Sequence, residues 1–109
     1  MNPTSARDVP HRAGARVTLR GWPVATRHVR TSDGRTMRFL TLEDETGMVN
    51  VIVWHDLAER QRKELLRSSL LTVYGTLERE GEVVHLIAGR LRDQTGLLGN
   101  LVTHSRDFH

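Results

Sequence analysis

The sequence predicts an all-β domain, a small barrel of five strands with one helix between the third and the fourth. Three observations carry this expectation. Five stretches read as strands, most of them by strict alternation of apolar and polar residues. One stretch between them changes to a helical period, and polar or glycine-containing turn clusters separate the rest. At 109 residues the chain is long enough for a single thin core and too short for a two-lobed enzyme.

Residues 1–15 are rich in Pro, Ser, Gly and charge and have no period, so they are expected to be a flexible leader. From Arg16 the pattern alternates, with Val17, Leu19 and Gly21 on one side and Thr18, Arg20 and Trp22 on the other. Pro23 cannot donate to a continuous ladder, so a bulge or bend is expected just after Gly21. The cluster "VRTSDGRT" (29–36) reads as a loop. A second strand runs from Met37 to Glu43, "DETG" (44–47) turns, and a third strand returns from Met48 to Trp54.

If this hairpin has a four-residue turn, partners are the positions whose numbers add to 91. Phe39 then faces Ile52, Thr41 faces Asn50 and Met37 faces Trp54 on one side. Leu40 and Leu42 meet Val51 and Val49 on the other, which must be the core, with Arg38 at its rim. "DLAERQRKELLR" (56–67) gathers Leu57, Ala58, Leu65 and Leu66 on one helical side, and Asp56 with Glu59 has the form of a capping box. Strands from Leu70 to Glu78 and from Val83 to Leu91 follow, joined by "REGE", with a bend expected at Gly75. This order, three strands, a helix and two strands, is that of the OB-fold, a Greek-key barrel with one capping helix. The domain is expected to span 16–93, with a tail at 94–109.

Composition excludes several functions. There is no cysteine, hence no disulfide and no thiolate metal site. The six histidines, His11, His28, His55, His85, His104 and His109, show no ligand spacing such as H-x-x-x-H. No nucleophile order, phosphate-cradling glycine loop or nucleotide fingerprint is present, so neither a cofactor nor catalysis is expected. No apolar run approaches a bilayer span, and the N-terminal stretch lacks an apolar signal region, so a soluble, non-secreted protein is expected.

The charge distribution is more informative than its total. The formal net charge is +3, yet Arg16 to Arg38 alone carries six arginines against Asp33, or +5, leaving −2 for the rest. A cationic segment beside outward aromatics is what an OB barrel needs to hold phosphates and stack bases. Arg20, Arg27, Arg30 and Arg35 are the candidate phosphate ligands. Phe39, Trp54 and Trp22 are the candidate stacking rings, with Thr41, Asn50, Ile52 and His85 sharing the outward face.

The blocks "GRTMRFLTLEDETGMVNVIVW", "DLAERQRKELL", "EREGEVVHLIAGRLRD" and "SRDFH" resemble the C-terminal OB domain of error-prone bacterial C-family DNA polymerases. "FLTLEDETG" is similar, more distantly, to the anticodon-binding OB domains of aspartyl-type tRNA synthetases. This second resemblance implies an aromatic at Phe39 that stacks on a base and an amide at Asn50 that reads it. The chain departs from the polymerase pattern at Pro23, at His55 and in a longer, more arginine-rich loop at 29–36. The polymerase palm, fingers and catalytic carboxylates are absent, so the expectation is a binding module and not an enzyme.

The resemblance implies single-stranded DNA as partner, bound with little sequence preference, in the bacterial cytoplasm at the nucleoid. Two alternatives stand beside it: an RNA-binding module using the same face, and a barrel that docks other subunits of a translesion or replication complex. Oligomeric state and strand polarity are not legible in the sequence.

Overall fold

The computed structural model describes residues 3–10 and 12–98. Its elements are β1 (Arg16–Arg30), β2 (Thr36–Asp44), β3 (Gly47–Trp54), α1 (His55–Arg60), α2 (Arg62–Arg67), β4 (Leu71–Glu80) and β5 (Val83–Asp93). The strands close into a barrel in the order β1-β2-β3-β5-β4, with β4 paired to β1. All neighbours are antiparallel except β3 and β5, which meet in parallel at Val51 with Leu86 and Ile52 with Ile87. This is the predicted OB topology, with the helical segment between β3 and β4.

Closure depends on β1, which belongs to both halves of the barrel. Residues Arg16 to Gly21 pair with β4, and Trp22 to Arg30 pair with β2. At the changeover a Cβ on Gly21 would lie 2.5 Å from the carbonyl oxygen of Glu43, so only a residue without a side chain lets the two backbones approach. The expected irregularity follows at once, as a register shift between Pro23 and Ala25. A second shift between Tyr74 and Gly75 bends β4 against β5 where a bend was expected. Beyond the shift in β1 the chain stays paired to Arg30, so the loop is shorter than the sequence suggests and comprises residues 31–35.

The β2–β3 register is the predicted one, from Met37 with Trp54 to Asp44 with Gly47. Leu40, Leu42 and Val51 from this hairpin are almost wholly buried, together with Leu19, Val53, Leu71, Val73, Leu77, Leu86 and Leu91. Full burial of side chains of this size contributes about 1.5–3 kcal/mol each, and every strand supplies at least one.

The helix differs from expectation in two ways. It starts at His55 with Trp54 at the N-cap, where no side chain caps it, so Asp56 and Glu59 lie inside the first turns and form no capping box. It is also broken at Gln61 (φ −115°, ψ 40°). The break has a cause: the Gln61 side-chain N–H donates to the Leu91 carbonyl oxygen and its Oε1 accepts from the Leu91 N–H, both at 2.7 Å. The amide thus pairs with β5 as a strand residue would. The two short helices aim Leu57 and Leu65 into the core, while Leu66, which the helical period also placed inward, is 50% exposed.

The segment expected as a flexible leader is tied to the barrel over its described part. Thr4 bridges Leu19 in parallel, its N–H donating to the Thr18 carbonyl at 2.7 Å. Residues Ala6–Asp8 form one 3-10 turn. The physical reason is Asp44, whose carboxylate accepts from the Ala6 N–H at 2.6 Å and from the Thr46 N–H and hydroxyl at 2.7 and 2.6 Å. The region expected as a tail is anchored at its start, where the Gln94 N–H donates to Leu70 and the Thr95 hydroxyl accepts from the Ser69 N–H. Residues 99–109, including "SRDFH", lie outside the described residues.

Burial raises the Asp44 carboxyl, but hydrogen bonds from the Thr46 hydroxyl and from the Ala6, Thr46 and Gly47 N–H groups outweigh it and hold the group below its ordinary value of 3.8. A folded-state value lowered in this way contributes stability that is complete above the unfolded value and lost as pH falls through the folded one. Asp44→Ala should therefore cost about 1–2 kcal/mol at neutral pH, less than the roughly 1.5–3 kcal/mol of bonds to a buried charged acceptor because the carboxylate is partly exposed to solvent. Unfolding curves of the two proteins should converge as pH drops below about 3.8. A gap that is unchanged down to acid pH would assign the loss to packing instead.

Candidate nucleic-acid interface

The outward face of β2 and β3 is read directly from the register. Arg27, Phe39, Ile52 and Ile87 form one row across β1, β2, β3 and β5. On one side of it lie Ala25, Thr41 and Asn50, and on the other Val29, Met37 and Trp54. Pairing alone therefore collects Arg27, Phe39, Thr41, Asn50, Ile52 and Trp54 on one surface.

Two rings on this surface already carry a cation. The Arg27 guanidinium carbon lies 5.2 Å from the Phe39 ring centroid, and that of Arg35 lies 3.8 Å from the Trp54 ring. The electron-rich ring face attracts each guanidinium, by roughly 0.5–1 kcal/mol when the pair is exposed. His85 meets Phe39 edge to face with centroids 5.4 Å apart. Glu78, the Cα partner of His85 on β4, is the acid nearest this group along the ladder.

Arg35 is held over Trp54 by a built turn. The Thr31 N–H donates to the Arg35 carbonyl at 2.8 Å, and Gly34 takes a φ of +87°. The Thr31 hydroxyl donates to the Asp33 carboxylate. That bond lowers the Asp33 carboxyl below its ordinary value against a small opposing effect of burial, and the Arg35 N–H and charge add to the lowering. A cleft of about 280 Å³ opens beside Trp54, between Gly34, Arg35, Thr36, His55 and Asp56.

Thr41 and Asn50 form a polar pair on the same face, the hydroxyl donating to Oδ1 at 3.4 Å. Asn50 is exposed, so its amide N–H groups remain available to a ligand. Ile52 points outward by parity but is 8% exposed, because Phe39 and Ile87 flank it. It acts as a floor beneath the rings rather than as a contact surface.

Three of the expected residues fall elsewhere. Arg30 pairs with Thr36 and shares the parity of His28 and Arg38, which is the opposite face of the β1–β2 arm from Phe39. Arg20 and Trp22 line a separate cleft of about 340 Å³ with Pro3, Ser5, Leu70 and Asp44. The alternation of the first strand places Arg20 and Trp22 outward correctly, while Arg30 was expected in a loop and given no face. It cannot show that β1 changes partner at Gly21 and that the barrel wall turns between them and Phe39.

The sequence reading placed Met37 on this face but missed one member, Ile87, which completes the row of Phe39 and Ile52 and whose parity with His85 was available as a signal. Among the described residues no group of three or more His, Asp or Glu side chains could hold a metal ion, and no helix is long and apolar enough to cross a membrane.

A family model described as "OB-fold nucleic acid binding domain" matches residues 17–95. The chain belongs to this OB-fold family. Curated relatives are error-prone DNA polymerases: that of Pseudomonas paraeruginosa (strain DSM 24068 / PA7) is 56% identical over 96 residues, 88% of this chain, and that of Azoarcus sp. (strain BH72) is 51% identical over 100 residues, 92% of this chain. The chain spans only 9% of the length of either relative. Among solved structures, asparaginyl-tRNA synthetase from Pyrococcus horikoshii superposes on 86% of this chain and 22% of its own, at a TM-score of 0.66 and 22% identity. The second OB-fold domain of replication protein A from Methanococcus maripaludis covers 84% of this chain and 93% of its own, at a TM-score of 0.60 and 16% identity. At these identities the two structures establish the OB fold alone.

Proposed function

We propose that this OB-fold chain binds single-stranded DNA with little sequence preference and serves as an accessory module of an error-prone, translesion type of DNA polymerase in the bacterial cytoplasm. The observation that carries this reading is the pair of cation-capped rings on one face, Arg27 over Phe39 and Arg35 over Trp54. A base stacks on either ring whatever its identity, because every base has a π-face, and the displaced guanidinium remains beside the backbone to hold a phosphate. Beside Phe39 this face presents few groups able to read a base edge, the Thr41 hydroxyl, the Asn50 amide and the His85 ring, so base-edge reading is sparse. Relatedness at 50% identity and above to error-prone polymerases supports the cellular context. The other subunits of such a translesion or replication complex would be its protein neighbours.

RNA is the second reading, and Asn50 carries it, as an exposed amide one residue pair along from the Phe39 row. A preference for RNA over DNA of the same sequence, acting through the 2′-hydroxyl, would establish it.

The test is a salt titration of binding to single-stranded DNA, duplex DNA and RNA. Affinity for single strands should fall by about 0.7 log unit per log unit of salt for each phosphate neutralised. Reversing both Arg27 and Arg35 to Glu should weaken binding to all sequences and flatten that slope by roughly one to two such increments. An unchanged slope would remove these arginines from the phosphate path and the reading with them.

A further inference from the structure

The half of the barrel facing away from Thr41 and Asn50 carries a second cationic surface that the proposed function does not use. Across β1, β4 and β5 the outward rows by parity are Arg20 with Thr72 and Arg92, Thr18 with Tyr74 and Arg90, and Arg16 with Thr76 and Ile87, with Thr72 itself buried beneath its neighbours. These nine positions hold four arginines, all exposed, and no acid. The Arg90 guanidinium carbon lies 5.5 Å from the Tyr74 ring centroid, the same pairing of a cation and a ring that marks the first face. A groove of about 540 Å³ runs beside it, between Thr4, Arg16, Thr18, Tyr74, Gly89 and Arg90. Gly89 is the residue of β5 left over at the register shift. A Cβ there would meet nothing closer than the Tyr74 carbonyl at 3.5 Å, so the position tolerates a side chain and its absence leaves the groove open. The nearest acids lie at the margins: Asp93, which follows Arg92 at the end of β5 and accepts from the Thr95 N–H, Glu78 two residues beyond Thr76, and Asp44 and Glu45 in the cleft that Arg20 also lines.

The two faces are connected. Ile87 pairs with Ile52 on one side and Thr76 on the other, so a single row passes from Arg27 and Phe39 over β3 and β5 to Thr76 and Arg16. Crossing from β2 to β4 takes three strand spacings, roughly 14 Å at about 4.8 Å each. Acidic side chains do not interrupt this row.

We infer that a bound single strand continues from the Phe39 face over β5 onto β4, where Tyr74 is a second base-stacking position and Arg16, Arg90 and Arg92 hold its phosphates. The inference rests on the proposed function and extends it from one stacking face to a path around the barrel. A polyanion is the partner that four arginines without acids select. Tyr74, set among threonine hydroxyls, adds the π-face that distinguishes a nucleic acid from an acidic protein.

The experiment compares oligodeoxythymidylates of about 4 and about 12 nucleotides, near the lower end and within the upper range of what one OB fold accommodates. Two variants are measured: Tyr74→Ala, and Gly89→Val, which fills the groove without removing any contact group. Thermal unfolding accompanies each to confirm that the barrel is intact. Both variants should bind the short oligomer as the unmodified chain does and the long one about tenfold more weakly, the loss expected for one base stack. Arg90→Glu with Arg92→Glu should flatten the salt slope for the long oligomer only. Affinities for both lengths that match those of the unmodified chain in every variant overturn the inference and leave the arginines to an acidic protein surface. Equal losses on both lengths also overturn it, since they place Tyr74 in the first site. Failure of the unmodified chain to bind either oligomer is a different result, which removes the proposed function itself.

Discussion

Phe39→Ala should lower affinity for single-stranded DNA by about tenfold to a hundredfold while leaving the barrel folded. The expected loss is the usual value of one base–aromatic stack, about 1–3 kcal/mol. Phe39 is partly exposed, lies in the outward row with Arg27 and Ile52, and touches Arg27 and His85 rather than the core. Its truncation therefore removes a cation–π pair and an edge contact, worth about 1 kcal/mol of stability together. A core phenylalanine would cost roughly 3–5 kcal/mol through the cavity it leaves. Leu40, its neighbour in sequence, is 0% exposed and marks what a core position on this strand looks like. The salt dependence should be nearly unchanged, because no phosphate ligand is lost. Binding and thermal unfolding must be measured on the same protein. A sharp drop in unfolding temperature with normal binding by the folded fraction would make Phe39 a structural residue and move the site elsewhere.

The β2–β3 hairpin was legible because its two faces differ in chemistry. Leu40, Leu42 and Val51 can only share one side, a one-residue slip would expose them all, and so the register follows from the residues alone. The same parity places Phe39, Thr41, Asn50 and Trp54 together before any coordinates are seen. What parity cannot supply is the curvature of the wall. Arg20 and Trp22 are outward on β1 as predicted, yet the changeover at Gly21 pairs Arg20 with β4 and sets Trp22 against Glu43 at the far end of β2. Gly21 and Pro23 signalled a bend there, but its consequence for which side chains meet depends on partners distant in sequence. Arg30 fails for the related reason that a loop was expected where the strand continues, so its face was not assigned.

The N-terminal residues illustrate the opposite limit. Nothing in "NPTSARD" has a period, and short polar segments are expected to be free unless a specific partner holds them. Here the partners are distant acceptors: the Asp44 carboxylate for the Ala6 N–H, 38 positions away, the Thr46 hydroxyl for the Arg7 N–H and the Thr18 carbonyl for the Thr4 N–H. Backbone groups taken up by long-range acceptors leave no pattern in the segment that carries them. The helix break is equally hidden. By helical period Gln61 is an ordinary surface residue, and only the proximity of β5 gives its amide a different use.

Gln61→Leu should destabilise the fold by about 2–4 kcal/mol. Leu91 is 1% exposed, so its N–H and C=O cannot turn to water when the Gln61 amide is removed. Each buried group left unpaired costs about 1–3 kcal/mol, and leucine offers neither a donor nor an acceptor at similar size. Propensity does not explain such a loss, since leucine is at least as good a helix former as glutamine. Gln61→Glu separates bonding from packing. It retains an oxygen to accept from the Leu91 N–H, yet sets a second oxygen against the Leu91 carbonyl, so it too should be destabilising at neutral pH. Chemical denaturation gives the stability of each variant, and hydrogen exchange at the Leu91 amide reports the bond directly. That amide should exchange faster in Gln61→Leu relative to the other β5 amides. A Gln61→Leu protein within about 0.5 kcal/mol of the parent, with Leu91 still protected, would mean that a buried water takes over both bonds. The kink between α1 and α2 would then be set by the core packing of Leu57 and Leu65 rather than by the amide that pairs with β5.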